Sequence, residues 1–306
     1  MSRPIAVAPE TRPAMYHAMC RAVSAGGGRL VPVSEADGLI WADPYRADLF
    51  PEVMAHADDL LWIQLPYAGI EPFLDHLDED HRWTNAKGVY APAVAETVMA
   101  LLLALAKNLH GYARERSWTG PEGRILAGSR ITILGGGGIT SHLLPLLAPW
   151  GCDVTVVRRS DTPVPGADRT ITGARLHEVL PLTDVLVLVL ALTAETTGII
   201  DRPELDALPD HAMLVNVARG GHVVTDALVE ALRGGRIGGA ALDVTDPEPL
   251  PDGHPLWSLP NCLITPHIGN TPEMGLELLE PFVAKNVRRF CDGEDLLAPV
   301  DVALGY

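Results

Sequence analysis

The chain is short of cysteine, of positive charge and of long apolar runs, and each shortage removes a class of function. Its four cysteines, Cys20, Cys152, Cys262 and Cys291, are far apart. They match neither zinc-ligand nor disulfide spacing, so no metal site is expected and a reducing compartment, the cytoplasm, fits best. Lys and Arg number 23 against 39 acidic residues, a formal charge of −16. Such a balance argues against nucleic acid or an anionic membrane as partner. The longest strand-like apolar run, residues 185–192, is too short to cross a bilayer. The first seven residues lack the apolar core of a signal peptide. Internal repeats and low-complexity segments are absent too. What remains is a globular protein that works on a small molecule.

With 306 residues, 47% of them hydrophobic, two domains are expected. Residues 5–8, 30–33, 39–41 and 61–64 read as buried strands, and residues 15–25 and 49–56 have helical spacing. This is a small α/β unit, residues 1–91, without a phosphate loop. Pro92 then opens a long helix reaching about Arg116. Its stretch 98–106 is apolar on every side, which predicts a domain or subunit junction there. Six strands follow at βα spacing, residues 131–134, 154–157, 185–189, 214–216, 240–244 and 263–265. Helices at 139–148, 176–180, 203–208 and 226–232 separate them, the pattern of a doubly wound parallel sheet, the Rossmann arrangement, within residues 92–273. A final helix, 271–291, and an extended tail, 296–306, are expected to return through residues 274–306 and complete the first domain.

The strand 131–134 runs into Gly135-Gly136-Gly137-Gly138-Ile139-Thr140. Glycines at 135 and 137 allow a tight turn and close approach of backbone to a pyrophosphate at a helix amino terminus. Thr140 stands where a third glycine would serve helix-to-strand packing, so a slight helix shift is expected and the site stays open. At the end of the second strand, where an acid would bind a ribose hydroxyl, the chain has Arg158-Arg159-Ser160. Two guanidiniums and a hydroxyl suit a 2′-phosphate, which favours NADP(H) over NAD(H).

Three ionisable groups sit at the carboxyl ends of later strands: Arg219 after 214–218, Glu248 in a proline-flanked loop after 240–244, and His267 after 263–265. Open α/β sheets bind ligands along that edge. A cation for a carboxylate, a proton carrier and an acid to tune that carrier together suggest reduction of a 2-oxo acid.

The order and spacing of several segments strengthen this reading. They are Gln64-Leu65-Pro66-Tyr67-Ala68-Gly69-Ile70, residues 85–96, the glycine loop, Val215-Asn216-Val217-Ala218-Arg219-Gly220, Ala241-Leu242-Asp243-Val244 with Glu248-Pro249-Leu250, Thr265-Pro266-His267, and the ending from Val300-Asp301 to Gly305-Tyr306. Over nearly its whole length the chain resembles the D-isomer-specific 2-hydroxyacid dehydrogenases, especially their glyoxylate/hydroxypyruvate reductase-like branch. The resemblance implies a flavodoxin-like substrate domain built from both termini, a central dinucleotide domain and a homodimer. It implies that Arg219 binds the carboxylate and keto oxygen of a 2-oxo or 2-hydroxy acid, with His267 as acid/base and Glu248 orienting it. Backbone near Ala68 and Gly69 would hold the carboxylate, beside Tyr67. Gly135, Gly137, Gly138, Ile139, Val217 and Ala218 would contact the cofactor, with Asp243 near the nicotinamide amide. Val189 and Ala191 depart from a frequent histidine and proline. A glutamate at 248, where formate dehydrogenases carry glutamine, argues against formate oxidation. Two other readings stay open: a non-enzymatic dinucleotide-sensing corepressor-like protein, and a biosynthetic reductase of a larger or phosphonate-bearing keto acid, with Tyr67 and Tyr90 either walling its pocket or packing.

Overall fold

A computed structural model describes residues 2–303, so Leu304, Gly305 and Tyr306 of the expected tail lie outside the described residues. The chain forms two compact units, Met1–Tyr90 with Pro272–Tyr306, and Ala91–Thr271.

The first unit contains β1 (Pro4–Ala8), α1 (Pro13–Ala25), β2 (Arg29–Leu30), β3 (Gly38–Trp41), α2 (Phe50–Met54), β4 (Trp62–Gln64) and β5 (Arg82–Thr84). All neighbouring strands are parallel, in the order β2-β1-β3-β4-β5. That is the flavodoxin-like order, with its reversal between β1 and β3. The strand expected over 30–33 ends at Leu30, and Val33–Glu35 is a 3₁₀ turn. Pro32 has no N–H to continue the ladder, which accounts for the early stop. β5 escaped the sequence reading because three residues carry no usable periodicity.

The closing helix, Pro272–Asp292, packs on α1. After it, the tail runs beside β5 through Asn85 N→Ala298 O and Val300 N→Trp83 O bonds of 3.1 and 2.9 Å. A buried polar network fixes this return. Asn286, fully buried, donates from Nδ2 to Gln64 Oε1 at 2.8 Å and to the Leu297 carbonyl at 3.1 Å, and its Oδ1 accepts from Leu297 N at 2.7 Å. Gln64 Oε1 also accepts from Thr84 Oγ1, which itself accepts from Trp62 Nε1. One side chain on the helix therefore joins β4, β5 and the tail.

The second unit begins with α3 (Ala91–Ala106) and α4 (Leu109–Tyr112). The expected single helix to Arg116 is thus broken: Asn108 takes a left-handed backbone, φ 49°, and a helix cannot continue through it. α3 buries Val98, Leu101, Leu102 and Leu105, while Ala100 is exposed and Met99, Leu103 and Ala104 are half-buried. There follow β6 (Arg130–Leu134), α5 (Gly138–Leu147), β7 (Asp153–Arg158), β8 (Arg169–Thr172), α6 (Leu176–Val179), β9 (Val185–Leu188), α7 (Arg202–Ala207), β10 (Met213–Asn216), α8 (Thr225–Arg233), β11 (Gly239–Leu242) and β12 (Cys262–Ile264). The sheet is parallel throughout, in the order β12-β11-β10-β9-β6-β7-β8. It has seven strands, one more than expected. The extra strand, β8, is an edge with only Ile171 buried, too polar to stand out as a core strand. Separate apolar clusters cover the two faces, one centred on Leu186, Leu214 and Leu228, the other on Leu102, Ile133 and Val187. Among the described residues no helix is long and apolar enough to cross a membrane.

The Asn286 network makes a stability prediction. Asn286→Leu should lower unfolding free energy by about 1–3 kcal/mol, because it leaves the part-buried Leu297 N–H without its acceptor and takes one of two donors from the buried Gln64 oxygen. Denaturant titration checks it; a loss below about 0.5 kcal/mol would show that the network contributes little.

Candidate active site

In the second unit, the strand order reverses between β6 and β9, and the ends of these two strands build the glycine loop. Gly135 has φ +114°, and a Cβ there would lie 2.6 Å from the Val189 carbonyl oxygen. Only glycine fits that turn. A Cβ at Gly137 would meet nothing within 4 Å, so the space before α5 is open. Thr140 is fully buried and donates its hydroxyl to the Gly135 carbonyl at 2.6 Å. The residue in the third-glycine position thus ties the first turn of α5 back to the loop. Arg158, at the end of β7, is half-buried with its stem against Gly136, whose added Cβ would lie 3.0 Å from Arg158 Cδ. Arg159 and Ser160 are exposed, with the Ser160 hydroxyl 3.2 Å from that of Thr162.

Beyond β10 the chain turns through buried Val217 and Ala218 to Arg219. Asn216, buried, donates from Nδ2 to the Arg219 carbonyl at 2.8 Å and accepts from Ala218 N at 3.0 Å. His222, fully buried, lies with Nδ1 3.2 Å from Arg219 N and Nε2 3.2 Å from the Ala191 carbonyl. Nδ1 also lies 3.0 Å from the Arg219 carbonyl oxygen, so the ring meets both backbone groups of Arg219. Asn216 and His222 were missed by sequence reasoning; a polar residue closing an apolar strand was the available signal. Gly220 follows, and a Cβ on it would fall 2.0 Å from the Thr245 backbone. A side chain there would push the Arg219 turn away from the loop that carries Glu248.

That loop and the His267 turn meet. His267 Nδ1 lies 2.7 Å from Glu248 Oε1, with both side chains nearly half exposed. Hydrogen bonding to Glu248 raises the His267 pKa above its ordinary value, against burial and the Arg219 charge, which lower it. Reciprocally, the histidine holds the Glu248 carboxyl below its usual range. His267 has φ +54°, an uncommon conformation for a residue with a Cβ. Asp243 holds it there. This buried carboxylate accepts from Thr265 Oγ1 at 2.6 Å, Ile268 N at 2.8 Å and Gly269 N at 2.8 Å, and the Asp243 carbonyl accepts from His267 N. Arg219, Glu248, His267 and Asp243 all belong to this unit, and their interactions connect the ends of β10, β11 and β12.

The segment Tyr67-Ala68-Gly69 lies in the first unit, after β4. Tyr90 donates its hydroxyl to the Pro66 carbonyl at 2.6 Å, Asn85 donates to the Ala68 carbonyl at 3.0 Å, and Ala86 N to the Tyr67 carbonyl at 3.1 Å. Three carbonyls are thereby turned inwards. Tyr90 is buried, its hydroxyl is engaged with Pro66, and burial pushes its phenol pKa far up. Tyr67 is half-buried with its ring edge against Tyr90.

Comparison with known proteins agrees with this architecture. The family described as D-isomer specific 2-hydroxyacid dehydrogenase, NAD binding domain, matches residues 99–269. An uncharacterized protein of Corynebacterium melassecola is 39% identical, covering 93% of this chain and 95% of that one. Glyoxylate/hydroxypyruvate reductase A of Klebsiella pneumoniae (strain 342) is 38% identical over 58% of this chain and 56% of its own length, so that match spans little more than half of the reductase. Among solved structures, the NADPH-dependent glyoxylate/hydroxypyruvate reductase SmGhrA of Sinorhizobium meliloti, in complex with NADP and sulfate, superimposes with a TM-score of 0.83 at 26% identity, covering 100% of both chains.

The His267–Glu248 pair predicts a measurable shift. In Glu248→Gln the neutral amide no longer favours imidazolium, so the His267 pKa should fall. Titration of the His267 ring by NMR reads this directly; an unchanged or higher pKa would remove Glu248 from the tuning role.

Proposed function

The chain belongs to the D-isomer specific 2-hydroxyacid dehydrogenase family of NAD(P)-dependent oxidoreductases, and from that premise we propose that it reduces a small 2-oxo acid, of the glyoxylate or hydroxypyruvate kind, to the D-2-hydroxy acid with NADPH. The observation that carries the reading is the 2.7 Å contact of His267 with Glu248, beside a guanidinium, at the carboxyl edge of a parallel sheet. The relatives named as glyoxylate/hydroxypyruvate reductases support the substrate kind.

Residues 92–273 act as the dinucleotide-binding domain, and residues 1–91 with 274–306 as the substrate domain. The open space at Gly137 and the close turn at Gly135 fit a pyrophosphate held on backbone N–H groups of Gly137, Gly138 and Ile139. Val217, Ala218 and Asp243 complete the nicotinamide side. Arg158, Arg159 and Ser160 take the 2′-phosphate; Arg158 makes no ion pair among the described residues, so its charge is available. The nicotinamide supplies the hydride. Arg219 donates to the substrate carboxylate and keto oxygen, and meets the negative charge that grows on that oxygen. His267, kept protonated by Glu248, delivers a proton to it. Backbone at Ala68 and Gly69 orients the carboxylate, with Tyr67 beside it.

We place the enzyme in the cytoplasm, where its four cysteines, all free, stay reduced. We also assign it a homodimer. The support is α3, whose Ala100 is exposed, together with fully exposed Trp118 and largely exposed Ile125. These exposed apolar side chains, together with the dimers that the family resemblance implies, motivate the assignment.

Two outcomes follow. Arg219→Ala and His267→Ala should each lose roughly a hundred- to ten-thousand-fold in kcat while still binding NADPH, because neither touches the phosphate loop. Near-native kcat in either would refute its role; fluorescence titration checks the binding. Second, kcat/KM with NADPH should exceed that with NADH by about ten- to a hundredfold, and Arg158→Asp/Arg159→Ala should abolish the preference. Equal or better use of NADH by the parent would sink the assignment.

A further inference from the structure

The first unit has an unexplained cation at the topological switch point of its own sheet. Arg12 follows β1, Tyr45 follows β3 and Tyr67 follows β4, three neighbouring strands. The order reverses between β1 and β3, and open α/β sheets bind ligands outside the strand ends at such a reversal. Arg12 is half-buried, and its Nη1 is buried with no hydrogen-bond partner. Its guanidinium lies over the Tyr45 ring, 5.2 Å from the centroid. Among the described residues, the acid on the neighbouring loop forms no ion pair with it. Asp43, itself buried, accepts from Thr11 Oγ1 at 2.7 Å and from Tyr45 N at 3.0 Å.

A buried charged N–H without a partner is costly, and a stacked ring offsets only part of that cost. Tyr45 is 73% exposed, so the ring over the cation is a surface side chain and leaves a route to it. Tyr67 faces the same cation. Burial raises its phenol pKa, Tyr45 adds to the rise and Arg12 partly opposes it, and the hydroxyl interacts with both side chains, which gathers the three groups at one point. The bonds that fix the Tyr67 loop in place, from Asn85, Ala86 and Tyr90, also fix Ala68 and Gly69.

We infer that Arg12, with Tyr45 and Tyr67, forms a subsite for a second, distal anionic group, so that the preferred substrate is a 2-oxo acid bearing a distal carboxylate or phosphate. The inference rests on the reading of Ala68 and Gly69 as the place of the reacting carboxylate. The planar guanidinium can donate two parallel hydrogen bonds to either anion. Tyr45 then stacks on a cation whose charge is paired, and the Tyr67 hydroxyl donates to the same group.

Matched substrates test this: oxaloacetate against pyruvate for the carboxylate, and 3-phosphonooxypyruvate against hydroxypyruvate for the phosphate. In the parent, at least one anion-bearing acid should exceed its partner in kcat/KM by about tenfold. In Arg12→Gln that ratio should fall about tenfold, mostly through KM, and Arg12→Lys should retain part of it. Which pair responds identifies the anion. Ratios near one in the parent, or a ratio unmoved by Arg12→Gln, would overturn the subsite while leaving the reductase reading intact. Turnover of none of these acids by the parent would instead count against the reductase reading. Calorimetry with NADPH present then decides the subsite alone, comparing D-malate with D-lactate and D-3-phosphoglycerate with D-glycerate. An Arg12-dependent preference for the anion-bearing member of either pair supports it, and equal binding in both overturns it.

Discussion

The geometry of the proposed catalytic site hangs on one buried carboxylate. Asp243 is 2% exposed, and its two oxygens accept three hydrogen bonds, all from the turn that carries His267. A carboxylate that far from water persists only if its acceptors are filled, and the turn 265–269 fills them. In return the turn is locked, and His267 within it is held in a left-handed backbone that side chains rarely adopt. The imidazole is nearly half exposed, so packing alone does not set its direction. Its direction comes from the backbone beneath it and from Glu248 at its Nδ1. The neighbouring turn is built on the same logic, with Asn216 and His222 fixing the Arg219 main chain and Gly220 pressed against Thr245.

This rigidity has an electrostatic purpose. Glu248 raises the His267 pKa, while burial and Arg219 lower it, and the carboxylate prevails. In the proposed reaction the cation that binds an anionic substrate works against the proton that reduction needs, and Glu248 offsets it. A bound carboxylate would neutralise Arg219 and ease that opposition further, so proton and substrate should bind cooperatively.

The central sheet was legible because its strands are buried on both faces and read as continuous apolar runs, such as 185–188 and 213–216. β5 and β8 were not, being short edge strands whose pairing depends on distant neighbours. The break after α3 turned on the backbone of Asn108, a choice local composition leaves open. Arg219, Glu248 and His267 stood out because ionisable residues ended apolar strands. Asn216, His222 and the structural work of Asp243 did not, since a side chain that holds another in place has no fixed sequence spacing to it. Arg12 was invisible for a related reason: an arginine becomes noteworthy only when its partners, or their lack, can be seen.

The central claim is that a hydride passes from a nicotinamide cofactor to the carbonyl of a 2-oxo acid, with D stereochemistry. It is tested most directly with C4-deuterated NADPH, of either face, and a panel of 2-oxo acids, by mass spectrometry and chiral chromatography of the products. The account predicts one deuterium at C2, from one face of the cofactor only, in a D-2-hydroxy acid. An L product, or no deuterium in any product across the panel, would contradict it.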